Sequence, residues 1–305
     1  MRAIALSDAS SAPRVLDIPT PVPGAGQVLV RVEASSLNGF DIAVAAGYLQ
    51  GMMEHRYPVV LGKDFAGVVE ANGEGASKYS VGDRVFGVVM TPYLGEGGFG
   101  EYLIVSEQFG IAKIPESLDF ALAGALGLAG AAAIASIDAV NPQAGQTILI
   151  IGATGGVGAI ATQYAAATGA HVIATAKPGV ETDFVKSQGA QIVVDPTGDV
   201  AAQVKAVSPS GVNAILHLAG DATALPALLM EGGKIASTLG FGPDKHPAAI
   251  SIMASTDETT LNRLSADVAS KQIRVPITHT YALAEIPEAI KAFPTGTLGK
   301  LAIKI

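Results

Sequence analysis

The sequence predicts an α/β protein of two domains, one mostly β and the other built on a doubly wound parallel sheet. Two observations support this fold class. The chain has 305 residues, of which 49% are hydrophobic and 15% charged, so it can bury a sizeable core. Short strands and turns give way, in the middle of the chain, to alternating strands and helices, which is typical of a parallel sheet with helices on both faces.

The mostly β domain is predicted from the two ends of the chain. "GQVLVRVEASSL" places valines at alternate positions, Val28, Val30 and Val32, as a strand does. Short β-branched runs interrupted by glycine and asparagine follow, and "FGEYLIVS" is a further strand. The last part of the chain has the same character, with strand-like "RVPITHTYAL" and "LGKLAIKI" around a short helix. We therefore assign residues 1–118 and 270–305 to one domain and 119–269 to an inserted domain.

The inserted domain opens with an alanine- and glycine-rich helix from Phe120 to Ile137, which ends before Asn141-Pro142. The strands after it are nearly continuous apolar runs, as expected of strands buried on both faces. The predicted elements are strand 147–151, helix 156–168, strand 171–176, helix 180–188, strand 191–194, helix 200–207 and strand 213–218, then a helix at "ALPALLM" and a strand at "GKIASTLG".

The composition argues against several classes of protein. The net charge is −8 and the basic residues are scattered, so we expect no nucleic-acid partner. No cysteine occurs, which excludes disulfides, catalytic thiols and cysteine-ligated zinc. The uncharged helix at 120–137 has only six large apolar residues, and the amino terminus lacks the apolar core of a signal peptide. We therefore expect a cytoplasmic protein without membrane association.

The stretch "ILIIGATGGVGAIA" contains the pattern Ala-x-Gly-x-x-Gly between a predicted strand and a predicted helix. This is the pattern of a dinucleotide-binding turn with alanine at the first glycine position. Its bare backbone lets a pyrophosphate approach, and the first amides of the helix face the negative charge. The alternative is a tight turn that binds no ligand. The predicted cofactor contacts in this turn are Ala153, Thr154, Gly155, Gly156, Val157 and Gly158.

The end of the next strand indicates which nucleotide is bound. An NAD site would place an acidic residue there, about 20 residues after the motif, whereas this chain has Thr175 and Lys177 and no acid before Glu181. A lysine and a hydroxyl could hold the 2′-phosphate of NADP(H), which a carboxylate would repel. The alternative for Lys177 is an ordinary solvated lysine.

The loops after the fourth and fifth strands are expected to flank the nicotinamide. Ligands of such sheets bind at the carboxyl ends of the strands, and "HLAG" and "LGFG" follow these two strands directly. The predicted contacts there are Leu218, Ala219, Gly240 and Phe241.

Six segments together match the pattern of one family: "SSLNGFDIAVAAG", "PVVLGKDFAGVV", "VGDRVFG", "GGFGEYLIV", "ATGGVG" and "GTLGKLAIKI". Through them, and across nearly its whole length, the chain resembles the zinc-independent medium-chain dehydrogenase/reductases, in their quinone oxidoreductase or zeta-crystallin-like branch. The resemblance implies a GroES-like catalytic domain flanking a Rossmann domain, and a homodimer. It also implies that Asn38 lies at the nicotinamide end and that Lys300 reaches the cofactor.

Two positions depart from the family pattern. Zinc-dependent relatives carry an early cysteine ligand and a Gly-His-Glu segment, which here reads "GKD" with Lys63 in place of the histidine. A three-ligand zinc site cannot be assembled from the matching positions, so we predict no metal. The family's Gly-Leu-Thr-Ala run reads "GAAA" here, so Ala132 offers no hydroxyl to the nicotinamide.

NADPH without a metal implies direct hydride transfer, with the protein positioning the reactants and stabilising charge on the acceptor's carbonyl oxygen. A conjugated acceptor suits this chemistry better than a simple ketone, so we predict an NADPH-dependent reductase of small-molecule quinones or α,β-unsaturated carbonyls. The candidate catalytic residues are Asn38, Tyr48 and Tyr93. Either tyrosine could instead be a packing residue with a solvated hydroxyl, and Asp41 is expected to be a helix N-cap.

Two other functions remain open at this point. The chain could be an enoyl or keto reductase of a specialised biosynthetic intermediate. It could also be a non-catalytic NADPH-binding protein, because the family includes lens crystallins.

Overall fold

A computed structural model describes all residues from Met1 to Ile305. The chain divides into two units, residues 1–131 with 256–305, and residues 132–255. The first unit contains both ends of the chain, and the second is the segment between them.

The first segment of the chain is rich in short strands. These are β1 (Arg2–Leu6), β2 (Arg14–Asp17), β3 (Gln27–Leu37), β4 (Glu54–His55), β5 (Val59–Val60), β6 (Asp64–Asn72), β7 (Arg84–Val88), β8 (Tyr93–Leu94), β9 (Tyr102–Ser106) and β10 (Ile111–Lys113). Its helices are α1 (Gly39–Ala45), α2 (Phe120–Gly124) and the start of α3 (Gly127–Val140).

The middle segment alternates strands and helices. Its strands are β11 (Thr147–Ile151), β12 (His171–Thr175), β13 (Ile192–Val194), β14 (Val212–His217), β15 (Leu229–Ser237) and β16 (Ala249–Ser251), and its further helices are α4 (Gly156–Ala167), α5 (Val180–Ser187) and α6 (Val200–Val207). The six strands form one parallel sheet in the order β13-β12-β11-β14-β15-β16. The strand order reverses beside β11, as in a doubly wound Rossmann sheet, and the predicted fold class is confirmed for this unit.

The last segment returns to the first unit. It forms α7 (Glu258–Ala269), β17 (Ile277–Ala282), α8 (Ile286–Ala292) and β18 (Lys300–Lys304). Strand β18 pairs antiparallel with β3 and so joins the seven-stranded sheet β10-β7-β6-β3-β18-β17, in which β9 also pairs with β3. The sheets β2-β1-β5 and β4-β8 complete this mostly β unit, in agreement with the GroES-like prediction.

Apolar runs in the sequence become the cores of these sheets. In the parallel sheet, Leu149, Ile173 and Ile215 come from three adjacent strands and are fully buried. In the mostly β unit, Phe65 and Val85 on β6 and β7 are fully buried in the same way. Each unit therefore has a core of its own, which gives its loops a rigid base.

Helix α7 lies in the first unit, although the sequence analysis placed it in the inserted domain. It packs on β10, and a Cβ built at Gly130 would lie 2.8 Å from Leu264 Cδ2. At its first turn, Glu258 forms an ion pair with Lys78, whose Nζ lies 2.8 Å from Glu258 Oε2. These contacts join residues far apart in sequence, so local pattern carries no information about them.

Two local predictions are wrong. "ALPALLM" forms one turn of 3-10 helix, Leu225–Leu228, and then the start of β15, because Leu229 pairs with Val212 in the sheet. Asp41 is not the N-cap of α1, since the helix begins at Gly39 and Asn38 takes that position. None of the helices combines the length and apolar character that crossing a bilayer requires.

Candidate functional site

The glycine turn between β11 and α4 is held open by close backbone contacts. A Cβ at Gly158 would lie 2.2 Å from the Gly152 carbonyl oxygen, so the helix can approach the turn only without a side chain there. Gly152 has a φ of +84° and faces Ala219, whose Cβ would lie 2.8 Å from a Cβ at Gly152. Helix α4 begins at Gly156 with its first amides unpaired within the helix. This arrangement fits a pyrophosphate resting against backbone amides.

Hydrogen bonds from both neighbouring strands fix this turn. The Gly152 amide donates to Thr175 Oγ1 at 2.9 Å, and the buried Thr175 hydroxyl lies 3.4 Å from the Ile150 carbonyl oxygen. On the other side, the Leu218 amide donates to the Ile151 carbonyl oxygen at 3.1 Å. Thr175 therefore holds the glycine turn from the neighbouring strand β12 through its hydroxyl group. The sequence analysis did not predict this role.

We expect Thr175→Val to raise the dissociation constant of the pyridine nucleotide cofactor about tenfold, because the Gly152 amide loses its partner at a cost of about 1–2 kcal/mol. Isothermal titration calorimetry measures this change. Thr175→Ser, which keeps the hydroxyl, is the matched control and should bind as the wild type does. Equal affinity in the valine variant would contradict the supporting role.

The loops after β14 and β15 are joined by a buried histidine and a buried serine. His217 Nε2 lies 3.0 Å from the Gly220 carbonyl oxygen, and its Nδ1 lies 2.9 Å from Ser237 Oγ. Ser237 Oγ also accepts the amides of Leu239 at 3.1 Å and Phe241 at 3.3 Å. These bonds shape the two loops in which four cofactor contacts are predicted. The sequence analysis assigned no role to His217, although its place at the end of a strand was an available signal.

Lys177 lies two residues beyond β12, with an exposed side chain. Its Nζ is 3.7 Å from Glu181 Oε1, and its backbone amide donates to Glu181 Oε2 at 2.8 Å. Lys177 also contributes to the lowered pKa of Asp195, which is due first to hydrogen bonds from Thr197. The exposed Lys177 side chain is therefore accessible to a ligand, although the carboxylates of Glu181 and Asp195 lie near it.

In the mostly β unit, a buried ion pair joins β6 to β18. Lys300 Nζ lies 3.5 Å from Asp64 Oδ2 and donates to Asn38 Oδ1 at 2.7 Å. Asp64 Oδ2 also accepts from Ser36 at 2.5 Å and from Asn38 Nδ2 at 2.8 Å, while its Oδ1 accepts the Leu128 amide at 2.7 Å. Both Asp64 and Lys300 are almost completely buried.

This network bears on two predicted site residues. All polar atoms of the Asn38 side chain have partners, since Nδ2 also donates to the Ser36 carbonyl oxygen. Burial lowers the pKa of Lys300, and the carboxylates of Asp64 and Asp41 partly oppose this. The sequence analysis named both residues but not Asp64, because their pairing depends on strand neighbours.

Asp41 forms a second buried contact with the same region. Its Oδ2 accepts the Asn38 amide at 2.9 Å, closing the first turn of α1, and its Oδ1 accepts the Lys63 amide at 3.0 Å. Burial raises the pKa of Asp41 to about 7. Lys63 is held in turn by the bond from its Nζ to the Val89 carbonyl oxygen at 2.6 Å. Burial lowers the pKa of Lys63, and the nearby carboxylates of Asp41 and Asp64 partly oppose this.

The two candidate tyrosines lie apart from this network. Tyr48 follows α1 and is 73% exposed. Tyr93 is half-buried; its hydroxyl donates to Glu96 Oε1 at 3.1 Å, and the Arg56 guanidinium lies 3.5 Å from its ring centroid. Their roles as donors to a substrate stay predictions.

The residues at the position of the family's zinc site do not fit a zinc ion. Lys63 donates to a carbonyl oxygen and offers no metal ligand in that state. Nowhere in the chain do three or more histidine, aspartate or glutamate side chains come close enough to share an ion. The side chains present therefore do not form a three-ligand zinc site.

The comparisons with known proteins agree with this geometry. Residues 24–116 match the family model described as the alcohol dehydrogenase GroES-like domain, and residues 156–292 match that described as zinc-binding dehydrogenase. A chloroplast envelope quinone oxidoreductase homolog of Arabidopsis thaliana is 31% identical over 230 residues, 72% of this chain and 68% of that protein.

Solved structures are similar over the whole chain. The quinone oxidoreductase from Coxiella burnetii aligns with a TM-score of 0.89 at 28% identity, covering 100% of this chain and 99% of that one. A mycobacterial protein solved in complex with NADPH aligns with a TM-score of 0.85 at 26% identity, covering 100% of both chains. The chain thus belongs to the medium-chain dehydrogenase/reductases, in their zinc-independent quinone oxidoreductase branch, and is an oxidoreductase of the quinone reductase type.

Proposed function

We propose that this protein reduces quinones with NADPH, without a metal. The observation that supports this most directly is the glycine turn at Gly152–Gly158 with Lys177 beyond the adjacent strand. The turn offers amides to a pyrophosphate, and Lys177 is the one basic side chain at the strand end where the 2′-phosphate would lie. The NADPH bound by the mycobacterial relative and the quinone oxidoreductase names of the other relatives support the same assignment.

In this proposal the chain's residues divide into binding and positioning groups. Backbone amides of 153–158 bind the pyrophosphate, Lys177 binds the 2′-phosphate, and the loops at 218–219 and 240–241 flank the nicotinamide. Bound NADPH supplies a hydride. The His217–Ser237 pair fixes the shape of the two loops, and Thr175 fixes the turn.

The remaining predicted site residues belong to the proposal as well. Asn38, Tyr48 and Tyr93 are the candidates for orienting the acceptor, and Lys300 would act on the cofactor from a buried position. Asn38 would act on the acceptor, and Lys300 on the cofactor, by holding the hydrogen bonds that link both residues to Asp64 in one geometry. Homodimeric assembly and a cytoplasmic location complete the proposal, and size-exclusion chromatography tests the former.

Reduced-nucleotide absorbance tests the function directly. Purified protein is mixed with NADPH or NADH and with quinones, enones or enoyl thioesters in separate assays. We expect NADPH oxidation with quinones and a lower kcat/KM with NADH. Turnover only with enoyl thioesters would replace the proposed acceptor, and tight NADPH binding without any turnover would favour a non-catalytic binding protein.

Exhaustive dialysis against a chelator checks the metal-free mechanism. We expect kcat with the best quinone to stay within about twofold of the untreated protein, because no zinc ligand set is present. A loss of activity that added zinc restores would overturn this part of the proposal. A titration with apo-protein and zinc provides the control.

A further inference from the structure

His217 and Ser237 form a closed set of hydrogen bonds between the loops that follow β14 and β15. The two residues lie opposite each other in the register of these strands, and their exposed fractions are 3% and 0%. His217 has one polar contact at each ring nitrogen, and Ser237 Oγ has three. Because both side chains are buried, these contacts decide which atoms carry the hydrogens.

The hydroxyl hydrogen of Ser237 has only one acceptor within this set. A hydroxyl group donates one hydrogen bond and accepts two. Both acceptor positions of Ser237 Oγ are taken by backbone amides, that of Leu239 at 3.1 Å and that of Phe241 at 3.3 Å. The hydroxyl therefore donates to His217 Nδ1, which lies 2.9 Å away and carries no hydrogen.

The other ring nitrogen of His217 is a donor. Its Nε2 lies 3.0 Å from the Gly220 carbonyl oxygen, a group that can only accept. Nε2 therefore carries a hydrogen, while Nδ1 carries none. A ring with one donating and one accepting nitrogen is a neutral imidazole, so the contacts assign both the charge and the tautomer of His217.

A second proton on His217 is incompatible with these contacts. On Nδ1 it would make the ring a third donor to Ser237 Oγ, which has two acceptor positions, and the hydroxyl hydrogen would lose its acceptor. Ser237 would then have to turn and release the amides of Leu239 and Phe241. Protonation of His217 and the present shape of the loop after β15 therefore exclude each other.

The surroundings of His217 offer no charge that would compensate a second proton. Its partners in the sheet are Ile151 on β11 and Ser237 on β15, and β11 has no ionisable residue. The ionisable residues of β15 and of the two loops make other contacts or lie at the other end of the strand: Glu231 and Lys234 near the start of β15, Asp221 on Thr223, Asp244 with Lys245, and His246 on the Ala248 amide. The ring contact of His217 is with the uncharged Phe241, edge-on at 6.3 Å.

We propose that the nucleotide binds only while His217 is neutral, so that His217 is a positioning residue whose protonation weakens cofactor binding. This inference rests on the proposed function, in which residues 218–219 and 240–241 flank the nicotinamide. His217 immediately precedes the first of these pairs, and Ser237 holds the Phe241 amide in the second. A proton that breaks the bonds of Ser237 changes the loop that the nicotinamide contacts. By linkage, nucleotide binding must then expel that proton.

Binding of NADH between pH 8 and pH 5 tests this inference, because histidine changes its charge in this range. NADH lacks the 2′-phosphate of NADPH, whose own protonation near pH 6 would obscure the effect. We expect the dissociation constant from isothermal titration calorimetry to rise about tenfold for each pH unit on the acidic side, since one proton competes with the nucleotide. Titrations in buffers of different ionisation enthalpy should show about one proton released per NADH at acid pH.

Two variants and one control separate His217 from the other groups that titrate. His217→Asn keeps an acceptor for the Ser237 hydroxyl but takes up no proton, so its affinity for NADH should be the same at pH 8 and pH 5. Ser237→Ala removes the acceptor of both loop amides, so it should bind NADH as weakly at pH 8 as at pH 5. His171→Asn removes an exposed histidine at the start of β12 and should keep the wild-type pH dependence.

The outcomes distinguish this inference from the proposed function. Equal wild-type dissociation constants at pH 8 and pH 5 would overturn the inference alone, and so would a His217→Asn variant with the wild-type pH dependence. A protein that binds neither NADH nor NADPH at any pH would overturn the proposed function as well. Nitrogen-15 NMR of the histidine rings at pH 8 checks the tautomer without any substitution, and a hydrogen on His217 Nδ1 would contradict the assignment. This spectrum and the proton release decide the inference even where a variant does not fold.

Discussion

Replacing Lys300 by methionine is expected to lower the free energy of unfolding by about 3–5 kcal/mol, because it leaves the Asp64 carboxylate buried without its cation. Asp64 is fully buried, and Lys300 is only 2% exposed. Asn38 would lose the donor to its Oδ1 in the same substitution. For a unit of this size the loss corresponds to a fall in melting temperature of roughly 6–20 °C.

Differential scanning calorimetry of the nucleotide-free protein measures this effect. Lys304→Met is the matched control, since Lys304 lies on the same strand with an exposed side chain, and it should change the melting temperature little. The double variant Lys300→Met with Asp64→Asn should lose less free energy of unfolding than the two single variants lose in sum, because it removes both charges. Equal melting temperatures of Lys300→Met and Lys304→Met would show that the ion pair contributes nothing to the free energy of unfolding.

The sequence predicted five of the six strands of the parallel sheet, all but β16, because their signals are local. The strand at 147–151 and the helix at 200–207 have the observed bounds, and the helix predicted at 156–168 ends at Ala167. Buried parallel strands are apolar throughout, and the glycine turn places its constraint on consecutive residues. "ALPALLM" was assigned wrongly because seven mostly apolar residues do not distinguish a helix from a buried strand, and pairing with β14 decides.

The buried hydrogen-bond network of Lys300, Asp64 and Asn38 could not be predicted from the sequence, for a different reason. Lys300 and Asp64 are separated by 236 residues and meet because β18 and β6 both pair with β3. The sequence named Lys300, Asn38 and Lys63 through family resemblance, yet predicted none of the hydrogen bonds that they form within the protein. Predicting which side chains of different strands become neighbours requires the register of the sheet, and no single segment of the sequence contains that information.

Lys177→Glu is expected to reverse the preference between the two nucleotides. Hydrogen bonds to a charged group contribute about 1.5–3 kcal/mol each, so losing Lys177 should lower the kcat/KM ratio of NADPH to NADH about 100-fold. The glutamate would in addition repel the 2′-phosphate and could accept the ribose hydroxyls of NADH. Initial rates with each nucleotide at a saturating quinone concentration measure the ratio.

Glu181 makes the phosphate role of Lys177 testable in the opposite direction. Its carboxylate lies 3.7 Å from Lys177 Nζ and also accepts the Lys177 amide. Glu181→Gln would remove this competing negative charge, so the same ratio should rise above that of the wild type. Lys186→Glu alters net charge by the same amount as Lys177→Glu, but from the last turn of α5, and should leave the ratio within about twofold because exposed charges at a distance are screened. If Lys177→Glu and Lys186→Glu give equal ratios, the 2′-phosphate is held by other groups and the assignment of NADPH loses its main support.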